Sequence, residues 1–552
     1  MVNDSSGRMI RKFKESELKR TEFSPYLAID ECRMYLDYTP PVYPITITYE
    51  WTIDSKDNLI EFPPFNPLTD YDVCVKHASY RLKAPKSLNI RHAMQNINGA
   101  PINVNDYSSD ARVFSLELHD LPMLKKEPYA RPFHERIPVA WFAPSQFTYY
   151  GIQGSLHDWR SYGQWEYDLL CGLDSLPAAV CQELHQLTDT LKSDREKVEV
   201  LYKRLEKTTR YVAILLGIGG QKPASAIEVN KSGFGDCKGL SNYMRAMLKE
   251  VGINSNYTTI STVNRHLLKD FASIGQVNHV ILQVPLENDT LWLECTHPQL
   301  PMGYLHRSIA GHDAIEISEQ GGRFVQLPTY PDSTNLKHSI INIKLDTDGT
   351  ANMTIEQKCF NHRYEEYVPL IKMDEEKRQK TLRQMMNVPQ AEFTRLTIKS
   401  CQSDVKITLN AEVRSPKYAI QTGHRLFIPI YPMQQKYTIN TTDERKENIY
   451  WESGHLNNDD ITFYIPDGYT IETLPENLSI ELPFGAFEFS VESHDRTIHI
   501  TNRLLMKSGS FDKSLIMMLN KFIQDIQNTY HQKIVLKQTS ITSVNTGGQE
   551  KN

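Results

Sequence analysis

One cysteine in this sequence stands where its chemistry can count. Cys237 follows Gly-Phe-Gly-Asp, residues 233–236, and precedes Lys-Gly-Leu-Ser-Asn-Tyr-Met. Behind it Leu240, Met244, Met247, Leu248 and Val251 recur at three- and four-residue spacing, which predicts a helix with one apolar face. Cys237 would head that helix, with Asp236 as its N-cap and Gly233 and Gly235 allowing a tight turn into it. The unpaired N–H groups and the helix dipole there favour a thiolate over a thiol, and can donate to an oxyanion. A nucleophile for acyl transfer is one reading of this position. A buried thiol, packed as a small apolar residue, is the other, and position alone leaves the two even.

A nucleophile needs a base, and the base needs an orienting group. The segment QVNHVILQVPLENDTLWLECTHP carries His279 and Glu294 on two consecutive strand-like runs. A four-residue loop over residues 285–288 would pair Val284 with Asp289 and set His279 directly opposite Glu294, on one face of a hairpin. The carboxylate could then hold one imidazole nitrogen and leave the other for the thiol. Each residue also explains the other. Glu294 lies in an otherwise apolar strand, and a buried carboxylate requires a partner. His297 and His266 are rival bases. The first should point away from Glu294 just before Pro298, and the second falls in a polar loop. Cys295 should face the core.

Elements that could hold these groups follow from the pattern of the chain. Ile45, Ile47, Tyr49, Trp51 and Ile53 alternate with polar residues, predicting a strand over 45–53. Short strands punctuated by proline, Asn and Asp continue to about residue 154, as in a sandwich. Helices are expected over 176–191 and from Ser193, where Ser193 and Glu196 form a capping-box pattern, and then from Cys237. Strands follow at 256–262, 277–284 and 290–296. After about residue 331 the chain returns to β, with strict alternation at Val405–Val413 and Ile461–Ile465, helices near 375–386 and 514–527, and no internal repeat. Domains are expected at 1–165 (β-sandwich), 166–330 (α+β cysteine core) and 331–552 (β-rich with a late amphipathic helix).

The bulk numbers limit the function class. With 552 residues, 23% charged and 40% hydrophobic, the chain is globular and has room for about three domains. Its formal charge of −6, with scattered Lys and Arg, gives no nucleic-acid footprint. The apolar run Tyr211–Ile218 is too short to span a bilayer. Eight cysteines form no CxxC pair, and no DxDxDG spacing occurs, so neither a metal nor a cofactor is expected. Residues 1–20 are polar and lack the apolar stretch of a signal peptide.

The ordered motifs RYVAILLGIGG, SGFGDCKG, NHVILQVP and LWLECT resemble the core of the transglutaminase-like superfamily, in its bacterial form with β domains on both sides. The resemblance covers about 176–328. It implies an α+β fold with a papain-like core, a Cys-headed helix on an antiparallel sheet, and a triad of Cys237 as nucleophile, His279 as base and Glu294 as orienting acid. Members usually carry Asp followed by Pro-Thr in the last motif, where this chain has Glu294-Cys295-Thr296. The resemblance further implies export to the periplasm or cell surface, so a shortened start, with one strand of the first β domain missing, is expected. The activity implied is cysteine-dependent acyl transfer at amide bonds of protein or peptide through a thioester, ending in hydrolysis or in amine transfer. The alternative is a non-catalytic binding or surface-associated protein built on an inert core.

Overall fold

The structure, a computed structural model, describes residues 1–21, 27–29, 33–56, 59–434, 437–439 and 445–539. Two units emerge. The first comprises Met1–Leu124 and Arg136–Pro328, the second Lys125–Glu135 and the chain from Thr329.

In the first unit the β-rich part is a set of small antiparallel sheets. Val75–Pro85 pairs along its length with Ala111–Leu121, and Ile90–Gln95 pairs with Val139–Pro144. Their inward residues, among them Leu82, Phe114, Leu116 and Phe142, form one apolar cluster. The strand expected over 45–53 is formed only at Ile45–Ile47, which pairs with Val2–Asp4. Tyr49, Trp51 and Ile53 lie outside any strand and are 75%, 68% and 77% exposed. Alternation makes a segment able to be a strand. Ladder partners make it one, and the Val2–Asp4 strand is too short to supply them beyond Ile47.

The rest of this unit is α+β. Its helices are α1 (Trp159–Leu170), α2 (Ala178–Thr188), α3 (Asp194–Thr208), α4 (Ala226–Ser232) and α5 (Cys237–Glu250). Helix α3 starts with the Ser193/Glu196 capping box, both reciprocal bonds being present. The core sheet has strands β1 (Asn256–Ile260), β2 (His279–Pro285), β3 (Thr290–Leu293), β4 (Asp313–Ser318) and β5 (Gly321–Gln326), in the order β3-β2-β1-β4-β5. Every neighbouring pair is antiparallel. Leu240, Met244, Met247 and Leu248 of α5 pack with Leu282, Val284, Leu291 and Leu293 of the sheet. This places the apolar face read from the sequence against β2 and β3.

Helix α1 was not legible in the sequence. It is capped by Asp158, whose carboxylate accepts from Ser161 N–H at 2.7 Å. Its Gly163 lies so close to β5 that a Cβ there would stand 2.1 Å from Gly322 Cα. Two glycines face to face let the helix backbone press on the strand.

In the second unit a sheet of eight strands runs in the order Glu392–Cys401, Lys406–Ser415, Ala351–Phe360, Leu336–Leu345, His455–Tyr464, Thr497–Met506, Gly485–His494, Leu478–Leu482. Only Leu336–Leu345 and His455–Tyr464 pair in parallel. The expected alternation is realised at Ile407, Leu409, Ala411 and Val413, and at Ile461 and Phe463, all buried. Helices at Glu375–Met385 and Ile516–His531 match the two that the pattern predicts.

Candidate active site

Local geometry puts Cys237 at the head of α5. Helix α4 ends on Gly233, whose φ of +69° is the left-handed conformation that glycine adopts without strain. Phe234–Gly235 then pairs in parallel with Arg210–Tyr211. Asp236 caps the helix, one carboxylate oxygen accepting from Gly239 N–H at 2.8 Å and the other paired with the Lys238 ammonium. Cys237 is the first residue of the helix and half-buried.

His279 opens β2, and Glu294 follows the last residue of β3. His279 Nε2 meets Glu294 Oε2 at 2.8 Å. The direct opposition expected from the sequence does not hold. The observed loop covers residues 286–289, so Val284 pairs with Leu291 and Leu282 with Leu293, a register two residues away from the expected one. A shift of two keeps both side chains on the same face, whereas a shift of one would have parted them. The two residues are therefore diagonal neighbours, a span that longer side chains cross more easily. Glutamate, with one methylene more than the family's aspartate, suits that diagonal.

Cys237 and His279 line the same cavity, and the thiol is near enough to influence the imidazole's charge. With Nε2 on the carboxylate, Nδ1 is the nitrogen left for sulfur. Burial pulls the His279 pKa down, but the Glu294 charge and the thiol outweigh it and raise it to about 10. Burial likewise opposes ionisation of Glu294. Charge and hydrogen bonds from His279, His306 and Thr296 win, and its carboxyl lies well below the usual range. The arrangement is a buried imidazolium–carboxylate pair on the cavity that Cys237 also lines.

Sequence reasoning missed several groups here. His306 Nε2 also meets Glu294 Oε2, at 3.1 Å, and its Nδ1 meets Ser308 Oγ at 2.7 Å. Thr296 gives Glu294 Oε1 its N–H at 3.0 Å and its hydroxyl at 2.5 Å. Glu61, far away in sequence, accepts from Ser273 Oγ, Ile274 N–H and Gly275 N–H at 2.7, 3.1 and 2.7 Å, and so fixes the loop leading to His279. A cavity of about 430 Å³ opens beside Cys237 and His279. Glu166 of α1 lines it together with Tyr162 and Tyr257, and burial pushes the Glu166 pKa up to about 7. Only the reach of Thr296 back to Glu294 had a local signal. The other groups come from distant segments that carry no motif.

The rival bases lie elsewhere. His297 is exposed, its Nδ1 meeting Thr296 Oγ1 at 2.9 Å, and His266 pairs with Asp313 at 3.3 Å. Cys295 is fully buried, as expected, and burial pushes its thiol far up.

Residues 182–296 match the model of the transglutaminase-like superfamily, and residues 424–536 match that of a domain of unknown function with a solved structure, DUF3858. No curated protein matches the sequence. Among solved structures, one described as a "putative protease" from Parabacteroides distasonis is 12% identical and has a TM-score of 0.53, with 86% of this chain and 76% of that chain covered. At that identity the likeness is one of fold. Another, described as a "putative cysteine protease" from Cytophaga hutchinsonii, is 11% identical over 40% of this chain and 75% of that one, with a TM-score of 0.18, too low to bear on the fold. The chain thus has the α+β fold expected from its sequence, and its centre is a core of the transglutaminase-like superfamily, flanked by β-rich regions.

Proposed function

We propose that the protein is a cysteine-dependent acyl-transfer enzyme acting on amide bonds of protein or peptide through Cys237, His279 and Glu294. The observation that carries this reading is the bond from His279 to the buried Glu294 carboxylate, on a cavity shared with Cys237 at the head of its helix. His279 takes the thiol proton as the reaction begins, and the Glu294 charge stabilises the imidazolium that forms. Cys237 Sγ attacks the amide carbonyl carbon. The N–H groups at the head of α5 can donate to the oxyanion that forms on that carbonyl. The Tyr211 hydroxyl lines the same cavity, and burial with the Cys237 charge raises its pKa to about 12, so that it stays a donor.

His279 then returns its proton to the departing amine as the C–N bond breaks, leaving a thioester on Cys237. Water, or a second amine, attacks that thioester with His279 as base. The products are a carboxylic acid or a new amide, and Cys237 is restored. Both routes use the same residues.

Incubation with a peptide mixture and biotinylated pentylamine, read by mass spectrometry, tests the reading and separates the routes. Cleaved peptides mean hydrolysis, and biotinylated peptides mean amine transfer. Neither product, or either product persisting in a Cys237→Ala variant, would refute the proposal.

A further inference from the structure

The second unit contains a buried charge that its own fold leaves without a hydrogen-bonding partner. Lys337, on the strand Leu336–Leu345, is 5% exposed, and among the described residues nothing hydrogen-bonds to its ammonium. It lines a cavity of about 360 Å³ on the face of the eight-stranded sheet. Arg363 stands beside it on the same cavity, one guanidinium nitrogen on Asn457 Oδ1 at 3.2 Å and another paired with Glu366, while its buried Nε makes no bond. Asn457 is the register partner of Lys337 across the parallel pair, and its Nδ2 is buried and unpaired as well.

The neighbouring carboxylates, Glu366 and Asp459, do not hydrogen-bond to Lys337: Glu366 pairs with Arg363. Asp459 Oδ2 accepts from Tyr431 at 2.7 Å and from Asn502 at 2.9 Å, and its Oδ1 makes no bond. Cys359 is buried, with its pKa raised to about 12, so it offers Lys337 no thiolate. Two cationic groups, Lys337 and Arg363, therefore line the cavity, with the one carboxylate among the described residues there, Glu366, paired to Arg363. A buried ammonium without a hydrogen bond is strongly unfavourable unless something pairs with it. One part of the wall is apolar and adaptable, with Leu382, Met385, Met386, Phe393 and Met433, and the remainder is polar, including Glu366, Gln357 and Gln384. A volume near 360 Å³ falls in the range of small-molecule sites, ~300–1,000 Å³.

We infer that this cavity binds a small ligand with a carboxylate head and an apolar body, the carboxylate pairing with Lys337 and Arg363 and the body lying against the methionine-rich wall. The site is separate from the Cys237 chemistry, and the inference does not depend on it. Burial lowers the pKa of Lys337, and the Arg363 charge adds to this, against the nearby charges of Asp459 and Glu366.

Calorimetry on the full chain tests this with decanoate, decanol and decyltrimethylammonium. A parallel arm uses acetyl-Leu-Leu-Met with its C-terminus free or amidated, which separates a fatty carboxylate from a peptide carboxylate. Decanoate or the free-acid peptide should bind at least tenfold more tightly than its uncharged counterpart, and the cation should not bind. Lys337→Met should raise the unfolding temperature of the free protein, because it removes an unpaired buried charge, and should weaken carboxylate binding at least tenfold. Equal binding of acid and uncharged forms, binding unchanged in the variant, or no binding of either carboxylate at millimolar concentration would overturn the inference.

Discussion

Replacing Glu294 distinguishes its charge from its shape. Aspartate retains the charge but withdraws it by one C–C bond, about 1.5 Å. The 2.8 Å contact to His279 would open to about 4.3 Å, since the diagonal register offers no shorter path. At an effective dielectric near 20 the attraction falls from about 6 to about 4 kcal/mol. Losing about 2 kcal/mol of imidazolium stabilisation corresponds to roughly 30-fold in rate. Glutamine keeps the length and removes the charge, and it also reverses a donor. Thr296 directs its N–H and hydroxyl at Oε1, which holds the amide oxygen there and turns the NH₂ toward His279 and His306. Facing a donor, His279 Nε2 must accept. Its proton then sits on Nδ1, where it cannot take one from the thiol. The expected loss is ~10²–10⁴-fold, the usual contribution of a general acid–base group. The assay is kcat/KM on the amide substrate found by the peptide screen, with circular dichroism to confirm folding. A glutamine variant within threefold of wild type, or an aspartate variant as impaired as glutamine, would refute this reasoning.

His279 should also set a pH window for stability. Its folded pKa of about 10 lies above the unfolded value near 6.5, so its contribution is complete below pH ~6.5 and lost as pH rises through 10, by roughly 5 kcal/mol at most. The unfolding temperature of wild type should therefore fall toward that of His279→Gln between pH 6.5 and 10, and parallel curves would contradict this. The lowered Glu294 pKa acts on the acid side, its contribution being present above pH ~4.3 and lost below it. His306→Gln, which alters one of the two imidazoles on Glu294 Oε2, should slow turnover three- to tenfold, consistent with a hydrogen bond of about 1 kcal/mol. An unaffected rate would make His306 a packing residue. Gly163→Ala should lower stability by ~1–3 kcal/mol by forcing α1 off Gly322, read as a drop in unfolding temperature, and an unchanged midpoint would mean that the helix moves freely.

The parts of the site within reach of local rules were legible in the sequence. Asp236, Cys237 and the apolar face of α5 form one continuous signal, and cap, dipole and period agree in it. His279 and Glu294 were paired because a hairpin joins them and a buried acid needs a partner. Their register was not legible. Loop residues 285–288 and 286–289 are equally plausible as turns, and the choice rests on how Leu282 and Val284 pack against α5. The face survived the error because the shift was even. Glu61, His306 and Glu166 were out of reach, since each joins the site through tertiary contact alone. Residues 45–53 show the opposite failure. A strong local pattern yielded a short strand because pairing ended at Ile47.

The central claim is that His279 activates Cys237. The most direct test is the rate of iodoacetamide labelling at each cysteine between pH 6 and 9, resolved by mass spectrometry, in wild type and in His279→Ala. At pH 7 Cys237 should react faster than half-buried Cys401 and far faster than buried Cys295 and Cys359, and the variant should slow Cys237 about tenfold while leaving Cys401 unchanged. Labelling of Cys237 at the rate of Cys401, indifferent to the loss of His279, would make it an ordinary packed thiol and contradict the account.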